Sequence, residues 1–174
     1  RLNINTCNWN LNKSTGDTLP TNTFFLNLKD NADCLLNKMK SKTRYNIKLS
    51  HRKGVQVKEY GIEQLENWTN LYKETAIRNN MAVYNQDYFY PILERIGTNK
   101  NKNFRTSLLM ADIDNEFIAG MILILSKERG TYLYGASSSK NKNFMGSYAV
   151  QWEAIQLAKK FGCKEYDMFG AAPN

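Results

Sequence analysis

A chain of 174 residues with 42% hydrophobic and 12% aromatic side chains can fill one core, which excludes a disordered polypeptide. Its 24 Lys and Arg against 16 Asp and Glu leave a formal charge of +8, which favours anionic partners: nucleic acid, phosphorylated precursors or an anionic membrane face. The longest apolar run, Ile118–Leu125, has eight residues, which suits a buried strand and falls far short of a bilayer span. Cys7, Cys34 and Cys163 are widely separated and form no C-x-x-C pair, so reduced structural thiols are expected, with no metal site and no cofactor.

In chain order, residues 1–22 are rich in Asn and Thr and show no sustained period, which predicts a linker or the remnant of a preceding domain. Thr23–Leu28 reads as a strand. Asn31–His51 carries apolar residues among many cations and predicts one or two helices closed by Gly54. Val55–Tyr60 alternates as a strand. Ile62, Leu65, Trp68, Tyr72 and Ala76 then form a helical stripe that runs to about Asn80, and a second helix is predicted over Gln86–Ile96. Three strands follow, near Arg105–Ile113, Phe117–Ser126 and Gly130–Ala136, and their hairpin-length turns make them antiparallel. A helix over Ser147–Phe161, with Ser147 as N-cap and Gly162 just past its end, leads to a last strand at Lys164–Met168.

From Val55 the order β-α-α-β-β-β-α-β is that of the GNAT (acyl-CoA N-acyltransferase-like) fold. This is an α/β fold with a mixed, mostly antiparallel sheet flanked by helices, in which strands diverge to accept an acyl carrier. The domain is assigned to residues 23–174. The last segment, ending at Pro173-Asn174, reads as an unfinished loop of a longer protein.

Lys38, Lys40, Lys42, Arg44, Lys48, Arg52 and Lys53 place seven cations in sixteen residues with no acid among them. Such a segment suits phosphate contacts, and Tyr45 among the cations suits stacking on a base; a solvated helix face fits the same pattern. Tyr84, Tyr88 and Tyr90, then Tyr132, Tyr134 and Tyr148, form a second group, since a phenol can donate to a carbonyl or phosphate while its ring packs on apolar surface. His51 is the single histidine and lies in the basic segment, which argues against Ser/His or Cys/His nucleophilic catalysis. Asp167 reads either as an orienting carboxylate or as the cap of the turn through Gly170. Asn141-Lys-Asn-Phe-Met-Gly-Ser-Tyr148 lacks the Arg/Gln-x-x-Gly-x-Gly/Ala loop with which acetyl-CoA enzymes cradle a pyrophosphate.

Three signatures resemble the Fem-type aminoacyltransferases (FemABX), which build the interpeptide bridges of peptidoglycan. They are Lys40-Ser-Lys-Thr-Arg-Tyr-Asn-Ile-Lys48 with Arg52-Lys-Gly-Val-Gln-Val57; Tyr132-Leu-Tyr-Gly-Ala-Ser137; and Tyr148-Ala-Val-Gln-Trp-Glu-Ala-Ile155 with Tyr166-Asp-Met-Phe-Gly170. The resemblance runs from about Thr23 to Pro173 and corresponds to the second of the family's two GNAT-like domains. It implies transfer of an amino acid from aminoacyl-tRNA to the stem-peptide amine of a peptidoglycan precursor, UDP-MurNAc-pentapeptide or lipid II. The work would be done in the cytoplasm, with peripheral contact at the inner face of the plasma membrane.

By position, Tyr88 and Tyr134 match family tyrosines that contact the precursor. Tyr132 and Tyr84 join them as substrate-binding candidates, although Tyr84 stands where the family has an arginine that holds the precursor's phosphates. Lys40, Lys42, Arg44, Lys48, Arg52 and Lys53 are the tRNA- or phosphate-binding candidates. The family's Phe-Lys motif, whose lysine supports the tRNA end and the transition state, lies beyond Asn174, so little or no activity is expected of this chain alone. An acetyl-CoA-dependent N-acetyltransferase and a non-catalytic RNA-binding module stand as the alternatives.

Overall fold

The computed structural model describes residues 22–94 and 104–170. Strand β1 (Phe25–Asn27) is followed by helices α1 (Ala32–Lys38) and α2 (Ser41–Arg52) and by strand β2 (Gln56–Tyr60). A 3-10 turn (Ile62–Gln64) leads into α3 (Leu65–Arg78) and α4 (Gln86–Leu93). The strands β3 (Phe104–Ile113), β4 (Glu116–Ser126) and β5 (Arg129–Ser137) form the meander, α5 (Gly146–Phe161) crosses back, and β6 (Glu165–Asp167) ends the order. The expected order from Val55 holds element by element. The predicted linker, the end of the helix at Ile96, Cys7 and the terminal loop at Pro173 lie outside the described residues.

The six strands form one sheet in the order β1-β6-β5-β4-β3-β2, antiparallel except where β5 runs parallel to β6. Helices cover both faces. Along β3 the side chains sort strictly: Leu109 and Ala111 join the core under α2 and α5, while Leu108 and Met110 join the core under α3 and α4. Burial on both faces explains why β4 reads as a continuous apolar run rather than an alternation. Trp68, fully buried, anchors the second core, where its ring meets Phe89 edge-on at a centroid distance of 5.5 Å.

Local chemistry sets the helix ends. Asn31 caps α1 by accepting from Cys34 N–H at 2.8 Å, and Asn85 caps α4 by accepting from Tyr88 N–H at 3.2 Å. Gly162 closes α5 with φ of 96°, as expected. The start of α5 differs from the expectation of a Ser147 cap. A 3-10 turn over Lys142–Phe144 passes through Met145, at φ of 60°, and Met145 takes the cap position with no side-chain hydrogen bond. Gly146 becomes the first helical residue and packs against β4, where an added Cβ would sit 2.8 Å from Ile118 Cδ1. Ser147 is thereby carried inside the helix, where its hydroxyl cannot cap.

Gly130 lies where sheet and helix approach closely. A Cβ there would lie 2.7 Å from Ala158 Cβ and 3.3 Å from Tyr166. Both neighbours are fully buried, so neither can move aside. Gly130→Ala should lower stability by about 1–3 kcal/mol in urea denaturation, the usual cost of overpacking a filled core. A variant as stable as the parent would mean that β5 and α5 separate more easily than this packing implies.

Candidate functional site: a cleft at the diverging strands

The β5–β6 ladder is short. Pairing runs from Arg129↔Glu165 to Thr131↔Asp167 and then stops, while β5 continues to Ser137 with β4 as its one partner strand. From Tyr132 onward, one edge of β5 therefore opens into a cleft of about 760 Å³. Its walls come from β5, from the end of α3 with the following residues Met81–Tyr84, and from the first turns of α5 through Ser147, Val150 and Gln151.

A bulge lies where the strands part. On β4, Leu123 pairs with Tyr132 and the adjacent Ile122 pairs with Tyr134, so Leu133 is the extra residue. A regular strand would put Tyr132 and Tyr134 on one face. The bulge reverses the alternation instead: Tyr132 packs with the α5-side core and Tyr134 with the α3-side core. The two phenols reach the cleft from opposite layers.

On the α3 side, Tyr134 and Tyr88 hydroxyls are 2.5 Å apart. Tyr88 stacks on Tyr84 at a centroid distance of 4.0 Å, and Tyr72 and Phe89 meet the Tyr134 ring edge-on. Burial, then the bond to Tyr88, holds the Tyr134 phenol well above its ordinary range. In the Tyr88–Tyr134 pair one hydroxyl donates to the other, which leaves one O–H free to meet a ligand. On the α5 side, burial also raises Tyr132, whose hydroxyl has no hydrogen-bond partner among the described residues. It lies over Gly135, where any Cβ would collide with it. Both sites thus present neutral phenols, which act as donors.

A second device holds the far end of β5. Thr75 Oγ1 accepts from Ser137 N–H at 2.8 Å and donates to its carbonyl at 3.1 Å. Arg78 donates to the same carbonyl at 2.9 Å, to Ser137 Oγ at 2.9 Å and to Ser139 Oγ at 2.8 Å. Beneath the cleft, Gln151 donates to the Tyr166 hydroxyl at 3.0 Å. Thr75, Arg78 and Gln151 were not among the sequence candidates, because polar residues at helical spacing carry no local signature of what they bind.

The structure brings Tyr84, Tyr132 and Tyr134 into the wall of one cleft, with Tyr88 joined to it through the Tyr134 hydroxyl, and it divides the cations. Arg44 donates to the carbonyls of Asn37 and Met39 and so finishes α1. Lys53 donates to the Asn143 carbonyl at 2.8 Å and lies over the Phe144 ring, tying α2 to the turn before α5. Lys40, Lys42, Lys48 and Arg52 remain exposed, with Arg52 over the exposed Tyr45 ring. Asp167 fits the turn-capping alternative: its Oδ1 accepts from Phe169 N–H at 2.8 Å and from Thr23 Oγ1 at 2.6 Å. His51 is exposed at the end of α2 and does not line the cleft. Cys34 and Cys163 are both free thiols.

The sequence matches the FemAB family over residues 5–101 and again over 96–174, which together take in nearly the whole chain. The chain belongs to the FemAB family. Among its relatives, a Lipid II:glycine glycyltransferase of Staphylococcus haemolyticus is 32% identical over 75 residues, 43% of this chain and 18% of the relative. An aminoacyltransferase FemA of Staphylococcus epidermidis is 30% identical over 78 residues, 44% of this chain and 19% of the relative. The crystal structure of FemX superposes with a TM-score of 0.79 at 17% identity over 87% of this chain, which spans 54% of that one. An aminoglycoside acetyltransferase superposes at 0.50 and 14% identity, over 69% of this chain and 78% of its own, which places the FemAB chain in the GNAT-like fold. No helix among the described residues is long and apolar enough to cross a membrane.

The raised phenols give a pH dependence of known sign. Tyr72, Tyr132, Tyr134 and Tyr166 all ionise above the ordinary 10.0 when folded. Above that pH the unfolded chain has lost protons that the folded chain keeps, so stability is full below it and falls as pH rises toward the folded values. Melting temperature should decline progressively above pH 10, and Tyr134→Phe should flatten part of that decline. A flat profile to pH 11 would show that these phenols are not protected from ionisation by the fold.

Proposed function

We propose that this chain is the second GNAT-like domain of a tRNA-dependent aminoacyltransferase acting on a peptidoglycan precursor. Membership of the FemAB family supports the reaction class. The observation that carries the reading is the Tyr88–Tyr134 pair, seated at the bulge where β5 opens. Two relatives, a lipid II glycyltransferase and an aminoacyltransferase, favour a lipid-linked or nucleotide-linked muropeptide as acceptor.

The chemistry is aminolysis of an ester. A neutral amine must approach the ester carbonyl, and the oxyanion that develops must meet donors already in place. The free O–H of the Tyr88–Tyr134 pair and the unpartnered Tyr132 hydroxyl are such donors, held in place by stacking and by the bulge. Their task is to hold precursor or acyl carbonyls along the open β5 edge. The apolar rings around Tyr134 strengthen these bonds by excluding water. With Tyr84 in place of the family's arginine, precursor phosphates fall to other groups.

For the donor, the exposed Lys40, Lys42, Lys48 and Arg52 supply phosphate contacts, and Arg44 and Lys53 serve the fold. Lys53 joins this basic helix to the turn leading into the cleft wall at Ser147, so an RNA backbone along α2 could deliver its charged end to the cleft. Activity on a lipid-linked acceptor would place the enzyme against the inner face of the plasma membrane. The acetyl-CoA alternative loses ground on the absent pyrophosphate loop.

The test uses the full reading frame, tRNA charged with labelled amino acids, and UDP-MurNAc-pentapeptide or lipid II as acceptor. Label should move to the acceptor. Tyr88→Phe and Tyr134→Phe should each reduce kcat/KM by roughly 2–10-fold, the scale of one neutral hydrogen bond. Transfer that is indifferent to both substitutions would remove the tyrosine pair from the site, and no transfer with any charged tRNA would overturn the reaction.

A further inference from the structure

Behind the clamp that pins Ser137 lies a second concavity of about 530 Å³, separate from the cleft and used by none of the chemistry above. Asn67, Asn70 and Glu74 stand along one face of α3, and the β3–β4 turn faces them with Asn115 and Glu116; Lys140 closes one side. Leu71 and the half-buried Phe117 ring form an apolar floor.

The lining is polar, and part of it is fixed in place. Ser139 N–H donates to Glu74 Oε1 at 2.6 Å. That bond, with help from Arg78 and Lys140, holds the carboxyl below its ordinary range, so Glu74 is an ionised acceptor at neutral pH. Asn67 is oriented by donating to Gln64 Oε1 at 2.7 Å, which leaves its own carbonyl oxygen free. The side chains of Asn70, Asn115 and Glu116 have no hydrogen-bond partner among the described residues. All three are exposed.

Charge decides which class of ligand fits. Two carboxylates against one ammonium repel a phosphate, and no group of three or more His, Cys, Asp or Glu among the described residues could hold a metal ion. This groove is walled by a helix and a turn, so it offers no free strand edge to which an extended peptide could add. What remains is a neutral ligand whose groups both donate and accept, with an apolar face to lay on Leu71 and Phe117. A sugar ring has both properties: its hydroxyls match paired amide and carboxylate side chains, and its C–H face packs on an aromatic ring.

We propose that the groove between α3 and the β3–β4 turn is a sugar-binding subsite, with Asn70 and Glu116 as its principal hydrogen-bonding residues. The sugar could come from a free N-acetylhexosamine glycan or from the precursor that fills the neighbouring cleft. Only the second source rests on the proposed function.

The experiment is a titration of isotope-labelled protein by NMR with three probes: an N-acetylglucosamine tetramer, UDP-MurNAc-pentapeptide and the sugar-free pentapeptide. Saturable shifts are expected at Asn67, Asn70, Asn115 and Lys140 with the tetramer. They should weaken about fivefold or more in Asn70→Ala and in Glu116→Gln, the scale of one lost hydrogen bond. Because both side chains are exposed, the rest of the spectrum should be unchanged and serves as the folding control. The same shifts with the precursor would assign the sugar to it, and shifts with the tetramer alone would assign a free glycan. Shifts of these residues by the sugar-free pentapeptide, no saturable shift with either sugar probe, or affinities untouched by both substitutions would overturn the proposal. Aminoacyl transfer is read in a separate assay, so either reading can fail without the other.

Discussion

Everything at this site depends on a ladder that ends early. Three residue pairs hold β5 to β6, and from Tyr132 onward the strand keeps its partner on one side and faces open space on the other. Exposed backbone donors and acceptors carry a cost unless water or a ligand meets them. A sheet edge buried between two helical layers is therefore a place prepared for something extended and polar. The Thr75–Arg78–Ser137 clamp keeps the free stretch from collapsing onto either neighbour, and it does so from α3 rather than from the sheet.

The two faces of the sheet divide the labour. The α5 face holds the larger core, with the Tyr166–Gln151 contact below the opening and Tyr132 folded over Gly135. The α3 face holds an aromatic assembly from Trp68 to Tyr88, in which edge-on and stacked contacts brace the phenols. Rigidity of this kind is what a donor needs if it is to meet a developing charge without first reorganising.

Most of the fold was legible from periodicity and punctuation. Apolar stripes at helical spacing located α3 and α5, short turns located the meander, and Gly162 located the end of α5. Six tyrosines stood out by their chemistry, and it was the family resemblance that picked Tyr88 and Tyr134 from among them; Tyr90 and Tyr148 belong to the same group in the sequence but do not line the cleft. What escaped was tertiary. The cap of α5 was assigned to Ser147 by residue type, whereas the close approach of Gly146 to Ile118 decides where the helix begins. Arg44 and Lys53 looked like their neighbours in a run of cations, and only the fold shows that both are occupied with backbone carbonyls. Arg78 and Thr75 gave no signal, since their partner Ser137 is about sixty positions away.

The extra residue at Leu133 acts as a ruler. Strand alternation counts in twos, so one inserted residue exchanges inside for outside along everything that follows. Deleting Leu133 would remove the bulge and make the two tyrosines adjacent, and adjacent residues of a regular strand also point to opposite faces. The face each tyrosine takes would survive the deletion, whereas the bend and added twist that the bulge gives β5 just past its last pair with β6 would be lost.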